Sequence, residues 1–599
     1  MDKQSILAFV VIFLILIAMP FYYQLIDYNQ PEQAPQDSAQ AVSRDTLKQP
    51  EPSPEPQETS PQIEQSRDTQ PESLVKESRP EKILTVENKY YKFDISSIGG
   101  GTVKNFILKK YHEYNDEDTS FVNLVKDPDQ RPLKIKYNSI SKERSVILDN
   151  NFEIVKSSRL LSDSSIYLNE DESFSVTYAY KRNGKRLVTK TFTFNGDEYR
   201  FDLVTDMTGL LKDIAGNEFQ ITWLGGLSYT ENKPDKENNY AKAYAFTAAE
   251  EVDKFDIKQG ETDQREFQGN TLWTAIRSKY FTAAFIPEKS ADKYTLKGST
   301  VQAGEAFKKI FDMEITYAAN QRQKTALFIG PLKYDVVKGL NADLQQIMNL
   351  GSILKFISRP LCTGILITLN TLYDFIPNYG IVIIIFAIFI KIILSPLTMK
   401  SMKSMKEMQL LQPKIQELKE EYEDDQQKLN KKTMELYQDY GINPMGGCFP
   451  ILLQMPILIS MFTVIRSTIA LRHAEFIFWI TDLSSPDMLF TLPFTIPFYG
   501  QYFNLLPIIM VITQIFQQKL SGSSSNPQQK SMAYIMPIVF FFIFNKFPSG
   551  LVLYYTCFNL FTVIQTKYFT PEPKLTKSKK KKKKGRLARM EEMRKKMKK

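Results

Sequence analysis

The chain is predicted to be a polytopic α-helical membrane protein with six spans, joined to a large all-β domain outside the bilayer. Three observations predict this. Apolar residues crowd into positions 379–569, although mean hydropathy over all 599 residues is slightly negative, at −0.28. A mostly polar region carries two Asn-Gly pairs twelve residues apart, Asn183-Gly184 and Asn195-Gly196, each flanked by alternating apolar residues. The basic excess is confined to one end: residues 574–599 hold 15 Lys and Arg against 2 Glu, leaving 61 basic and 65 acidic residues on the other 573.

The elements follow in order. Residues 6–23 form an apolar stretch of about 18 residues, near the lower limit for a spanning helix. No small-residue cleavage site follows it, so 1–26 is predicted to be an uncleaved signal anchor. Residues 27–80 hold nine prolines among Gln, Glu, Ser and Asp. Such a segment cannot bury enough apolar surface to fold, and its prolines keep it extended as a linker. Residues 81–335 read as β. Val176, Tyr178 and Tyr180 alternate with polar neighbours before the first Asn-Gly pair. Val188, Lys190, Phe192 and Phe194 follow it, and Tyr199, Phe201 and Leu203 follow the second, which predicts an antiparallel meander.

Residues 336–377 are predicted to be an interfacial amphipathic region, because Leu344, Ile347, Met348, Leu354, Ile357 and Leu361 fall on one helical face. The membrane core is placed at 378–570, with spans at 379–398, 449–469, 503–519, 532–547 and 551–568. With the anchor these make six. A cytoplasmic N-terminus then puts the basic tail, 571–599, in the cytoplasm, as the positive-inside rule requires. Counting 361–376 as a seventh span would expel the tail, so that stretch is read as interfacial or re-entrant. Residues 399–445 are predicted to be a cytoplasmic helical hairpin: Pro413 suits a first turn, Glu423-Asp424-Asp425 a turn and Gly441 a helix stop.

Chemistry is sparse. With two histidines and cysteines only at 362, 448 and 557, a Cys/His zinc site, a CxxC pair and a disulfide framework are all disfavoured. No nucleophile elbow, phosphate loop or acid–base pair occurs in the spans, and no cofactor is expected. The most informative residue is Lys391, about 10 Å inside its span at 1.5 Å per residue. A cation at mid-bilayer costs on the order of 2.5–3.5 kcal/mol on insertion scales. Two readings stay open: Lys391 snorkels to the headgroups, or it faces a hydrated cavity. Gln454, Gln514, Gln517, Gln518, Tyr554, Tyr555, Asn559 and Gln565 could line the same polar surface or form separate interhelical hydrogen bonds. A transporter and a membrane-tethered enzyme are the rival classes, but no second copy of the Lys-bearing span and no acidic cluster in the β region support them.

The runs Met408-Gln-Leu-Leu-Gln-Pro-Lys-Ile415, Asn443-Pro-Met-Gly-Gly-Cys-Phe-Pro450, Gln454-Met-Pro456 and Phe547-Pro-Ser-Gly-Leu-Val-Leu-Tyr-Tyr555 resemble, in order and spacing, the YidC family of membrane protein insertases. The anchor and outer β domain resemble the Gram-negative form of that family. The resemblance implies a five-helix insertase core with a hydrophilic groove open to cytoplasm and lipid, and a periplasmic β-supersandwich. It implies insertion and folding of integral membrane proteins in the bacterial inner membrane, alone or with the Sec translocon, and no enzymatic reaction. The family's intramembrane basic residue, usually Arg, falls on Lys391, and its frequent Thr one turn earlier is Ala387 here. Two family tyrosines fall on Tyr554 and Tyr555, and Arg472 and Asp482 match a family pattern beyond the third span. Nascent membrane proteins are the implied partners. The implied ribosome contact is the basic tail, with Lys579, Lys580, Lys581, Lys582, Lys583, Lys584 and Arg586 at its centre. Its charge also suits anionic phospholipids.

Overall fold

The computed structural model describes residues 80–572, apart from 114–119, 128–129, 162–163, 232–233, 250–251, 305, 349, 351–354, 424, 443–448, 497–498 and 522–526. The predicted signal anchor and linker, the basic tail and Cys448 lie outside the described residues.

Between Ile83 and Pro331 the regular structure of the described residues is strand, apart from short helical turns at Thr208–Asp213 and Asp235–Asn238. A five-stranded sheet packs against a fourteen-stranded one. Aromatic side chains join them: Phe93 of the smaller sheet lies 5.8 Å from Phe194 and 5.3 Å from Phe201 of the larger, between ring centroids. The predicted meander is present as Ser173–Arg182, Lys185–Asn195 and Arg200–Asp206, paired antiparallel in that order. Its two turns use glycine differently. Asn183 and Gly184 both have positive φ, 51° and 75°, as a two-residue turn between twisted strands requires. Gly196 begins a wider connection and is needed for closeness, since a Cβ there would sit 1.7 Å from the Asn169 carbonyl oxygen. Lys190, which shares the alternation of Val188 and Phe192, is fully buried and donates to the carbonyl oxygens of Leu133 (2.7 Å) and Gly99 (3.2 Å).

The chain leaves this domain through single turns at Tyr334–Gly339 and Leu344–Met348. Leu344, Ile347 and Met348 therefore do not share a long helix with Leu361, as their spacing predicts. Asn341 and Asp343 take positive φ (52° and 55°), which separates the two turns from each other, and Arg277 of the β domain donates to the Ile347 carbonyl oxygen at the end of the second. The first long helix, α1, is Lys355–Phe375, with Pro360 inside it. It unites residues read from sequence as an interfacial piece and a separate apolar piece.

The helical core follows. Helix α2, Tyr379–Leu410, starts on an Asn378 cap and runs 32 residues, through the predicted span and into the predicted hairpin. Helices α3, Gln412–Glu421, and α4, Gln426–Tyr440, form that hairpin. Pro413 lies in the first turn of α3, the Asp425 side chain caps α4, and Gly441 ends it at φ 68°. Met408, Leu411, Tyr437 and Ile442 are its small core. Then come α5, Phe449–Ser467; α6, Leu506–Ser521; α7, Pro527–Phe544; and α8, Ser549–Ile564, which widens into a π turn over Gln565–Phe569. Among the described residues only α2 is long and apolar enough by itself to cross a membrane; Leu453–Ser467 and Ile535–Phe544 are shorter apolar stretches. The predicted span at 503–519 begins late, at Leu506. Residues 500–504 are instead a strand, paired in a hairpin with Met488–Ile496.

Candidate functional site

The site is built where α2 and α8 touch. Lys391 is 6% exposed, and its ammonium donates to Thr562 Oγ1 at 2.7 Å and lies 4.6 Å from the centroid of the Phe558 ring. The Thr562 hydroxyl spends its own proton on the Phe558 carbonyl oxygen one turn back, at 2.7 Å. Its lone pairs are thus turned to the cation. Below this pair the contact stays polar. Gln565 Nε2 donates to Ser395 Oγ at 2.7 Å, and Thr398 Oγ1 donates to Gln565 Oε1 at 3.4 Å. Lys406 Nζ donates to the carbonyl oxygens of Thr566 (3.2 Å) and Thr570 (3.1 Å), closing the C-terminal end of α8 where free carbonyls and the helix dipole favour a cation.

The spacing explains the seam. Lys391, Ser395, Thr398, Met402 and Lys406 recur every three or four residues, so they form one stripe on α2. Their partners advance from Thr562 to Thr570 as they do, which means that α2 and α8 run side by side in the same direction. Sequence reasoning singled out Lys391 and missed the rest of the stripe. The signal that could have found it was the recurrence of Ser395, Thr398 and Lys406 at helical spacing from Lys391.

The other candidates are placed as follows. Tyr554 is fully buried, with its ring 6.1 Å from Phe386 of α2 and 6.1 Å from Phe558, so it shares the face that receives Lys391. Tyr555 turns away to α7, 5.4 Å from Phe544 and 6.2 Å from Phe540. Asn559, one turn past Tyr555, is buried, as is Gln514 on α6; Gln454 on α5 is half-buried. Four of these groups share a property. Gln454 Nε2, Gln514 Oε1, Tyr554 Oη and Asn559 Nδ2 are buried atoms without a hydrogen-bond partner, each an unmet demand in an apolar bundle. The tail lysines and Arg586 lie outside the described residues. Among the described residues no group of three or more His, Cys, Asp or Glu side chains is placed to hold a metal ion.

A second buried polar centre ties the core to the β domain. Arg472, after α5, is almost fully enclosed. Its Nε donates to Glu231 Oε1 at 2.8 Å, and its other nitrogens donate to the carbonyl oxygens of His112 (2.6 Å) and Thr230 (3.1 Å). Lys279 stands 3.9 Å from the other Glu231 oxygen. Burial alone would raise the Glu231 carboxyl, but Lys279 and Arg472 outweigh it and hold it below the usual value. Asp482 accepts from the backbone of His473 (3.2 Å) and Ser484 (2.8 Å), shaping the loop that presents Arg472.

Comparison with known proteins agrees with this architecture. Residues 83–363 match the family described as YidC periplasmic domain, and 371–597 the family described as 60Kd inner membrane protein. The protein is 34% identical over 576 residues to the membrane protein insertase YidC of Chlorobaculum tepidum, covering 95% of this chain and 94% of that one. It is 35% identical over 496 residues to the protein of that name in Prosthecochloris aestuarii, covering 82% of each. A solved structure of an active YidC insertase with its first transmembrane domain resolved aligns over 82% of this chain and 93% of that one, at 17% identity and a TM-score of 0.35. A β domain continuous with a helical core, and identity of this extent over nearly the whole length, lead to one conclusion: the chain belongs to the YidC family of membrane protein insertases.

Proposed function

We propose that the protein inserts membrane proteins through a polar groove centred on Lys391, with six spans and both termini in the cytoplasm. The observation that carries this is the Lys391 ammonium, enclosed within the apolar bundle and met by a single hydroxyl and the face of one ring. An ammonium has three donors, so capacity remains. Asn559 Nδ2 and Gln454 Nε2 add further unpartnered donors, the Tyr554 hydroxyl can donate or accept, and Gln514 Oε1 is an unpartnered acceptor. A surplus of donors suits an acceptor-rich guest: the carbonyls and carboxylates on the polar flank of an entering segment. The parallel run of α2 and α8 supports the topology, because α2, α5, α6, α7 and α8 crossing in alternation bring the second and sixth spans through in the same direction.

The mechanism is physical. The groove lowers the cost of bringing a polar flank partway into the bilayer, and Lys391 attracts acids on that flank. The hydrophobic segment then moves sideways into lipid, driven by apolar burial at roughly 25 cal/mol per Å². The half-buried Met399 and Met405, on the cytoplasmic part of α2, offer adaptable apolar contacts on the way in. The basic tail holds the ribosome and anionic lipid headgroups by charge, in a salt-dependent way, and a Sec translocon can work beside this core.

The test is insertion efficiency across clients graded by the acidity of their translocated flank. Lys391→Ala should impair acidic clients most and neutral ones least, and Lys391→Arg should retain most function. If Lys391→Ala leaves the acidic clients untouched, the groove mechanism is wrong for this protein.

A further inference from the structure

The loop between α5 and α6 carries an apolar surface that groove-based insertion does not use. From Met488 to Asn504 there are seventeen residues and no Asp, Glu, Lys, Arg or His. Within this stretch Met488–Ile496 pairs antiparallel with Gly500–Asn504, a hairpin that joins no other sheet among the described residues. Phe490 stacks on Phe503 at 4.6 Å, yet Leu489, Phe490 and Phe494 stay 42%, 50% and 60% exposed. At the neighbouring loop tip Ile477 and Phe478 are exposed as well. An isolated two-stranded hairpin is marginal in water, and a contiguous apolar patch marks an interaction surface.

The stem of the hairpin is held by buried side chains. Asp487 Oδ2 accepts from the backbone nitrogen of Leu506, the first residue of α6, at 2.7 Å, and from Trp479 Nε1 at 2.9 Å. Asn504 Nδ2 donates to the carbonyl oxygen of Asn545, just past α7, at 2.7 Å, and Asn545 Nδ2 donates back to the Tyr499 carbonyl oxygen at 2.9 Å. The hairpin is therefore bolted to the ends of two core helices. It lies on the side that faces the β domain, where Tyr280 donates to Ser484 at 3.5 Å. Pro493 removes a backbone donor from the longer strand, which disfavours addition of another strand and leaves contact to the side chains. Protein interfaces carry a polar rim, whereas this sequence has no charge at all. Aromatic and aliphatic side chains at the end of a span are the composition of a bilayer interface.

We propose that the 488–504 hairpin, together with the Ile477–Phe478 tip, is a lipid anchor that buries its side chains in the membrane surface on the β-domain side. It rests on the reading that α6 and α7 cross the bilayer. Full-length protein is placed in vesicles of phosphatidylethanolamine and phosphatidylglycerol, with and without brominated acyl chains. Phe494→Trp and, as a second position, Leu489→Trp report on the hairpin, after subtraction of the parent signal from Trp223, Trp273 and Trp479. The added emission should be blue-shifted, lose most of its intensity to brominated lipid and resist acrylamide. Emission open to acrylamide and indifferent to brominated lipid overturns the proposal. Blue-shifted emission that resists both quenchers places the hairpin against protein, a second copy included, and overturns it too. Phe516→Trp, on an exposed position of α6, separates the two failures: if it also escapes brominated lipid, the spanning reading itself falls.

Discussion

Thr562 matters because a hydroxyl does two things for Lys391 at once. It accepts from the ammonium at 2.7 Å and is held in place by its own bond to the Phe558 carbonyl oxygen. A hydrogen bond to a charged group contributes about 1.5–3 kcal/mol. Thr562→Val keeps the volume and removes the acceptor, so it should impair insertion of acidic-flank clients in the same order as Lys391→Ala, but less deeply. Thr562→Ser should restore it. A purely structural role would make all clients suffer alike, and that outcome in the graded series would count against a positioning role. Lys190 illustrates the opposite use of a buried lysine. Burial pushes its ammonium down to about 7 from 10.5. Between those values the unfolded chain holds a proton that the folded chain lacks, so the stability of the β domain should rise as pH climbs from about 7 towards 10.5 and be lost as pH falls back. Urea unfolding followed by the buried Trp223 and Trp273 measures this, and Lys190→Met should flatten the slope.

At the scale of elements, close approach decides what glycine is for. Gly380 opens α2, and a Cβ there would meet the Phe476 ring at 1.9 Å. Gly380→Ala should therefore push α2 from the loop after α5 and cost about 1–3 kcal/mol by overpacking. A lower melting temperature in detergent checks it; an unchanged one would show that the ring simply turns aside. Such contacts also mark how far sequence carries. The Asn183-Gly184 turn, the Pro413 helix start and the Gly441 stop were legible because each depends on local backbone preferences. The lone cation at Lys391 was legible because charge is costly in an apolar run. Gln565 was legible as a polar residue of the last span, but its pairing with Ser395 and that of Thr562 with Lys391, each some 170 residues apart, emerge only from the helix pairing. The 488–504 hairpin was misread in part as a span, because lipid-facing strand and lipid-facing helix are written in the same apolar residues. Its prolines and Gly500 were the available signal.

Across the whole molecule, the β domain and the helical core meet through a charge that neither solvates alone. Arg472 has its Glu231, His112, Thr230 and Tyr280 partners entirely within residues 83–331. Deleting that domain removes the partners and the mass that buries Arg472 together, so the guanidinium returns to water and no unpaired buried charge remains. Glu231→Ala in the intact chain is different: it leaves Arg472 enclosed, with Lys279 nearby and no carboxylate between them. Breaking a buried pair from one side costs about 3–5 kcal/mol, whereas replacing both members by apolar groups is often neutral. The point substitution should therefore harm the protein more than loss of residues 83–331, which should leave client insertion largely intact. Glu231→Leu combined with Arg472→Leu should recover much of the stability lost in Glu231→Ala. Melting temperature in detergent and client insertion, measured on all three variants, give the order. If the deletion proves the most damaging, the β domain supports the core by more than this contact.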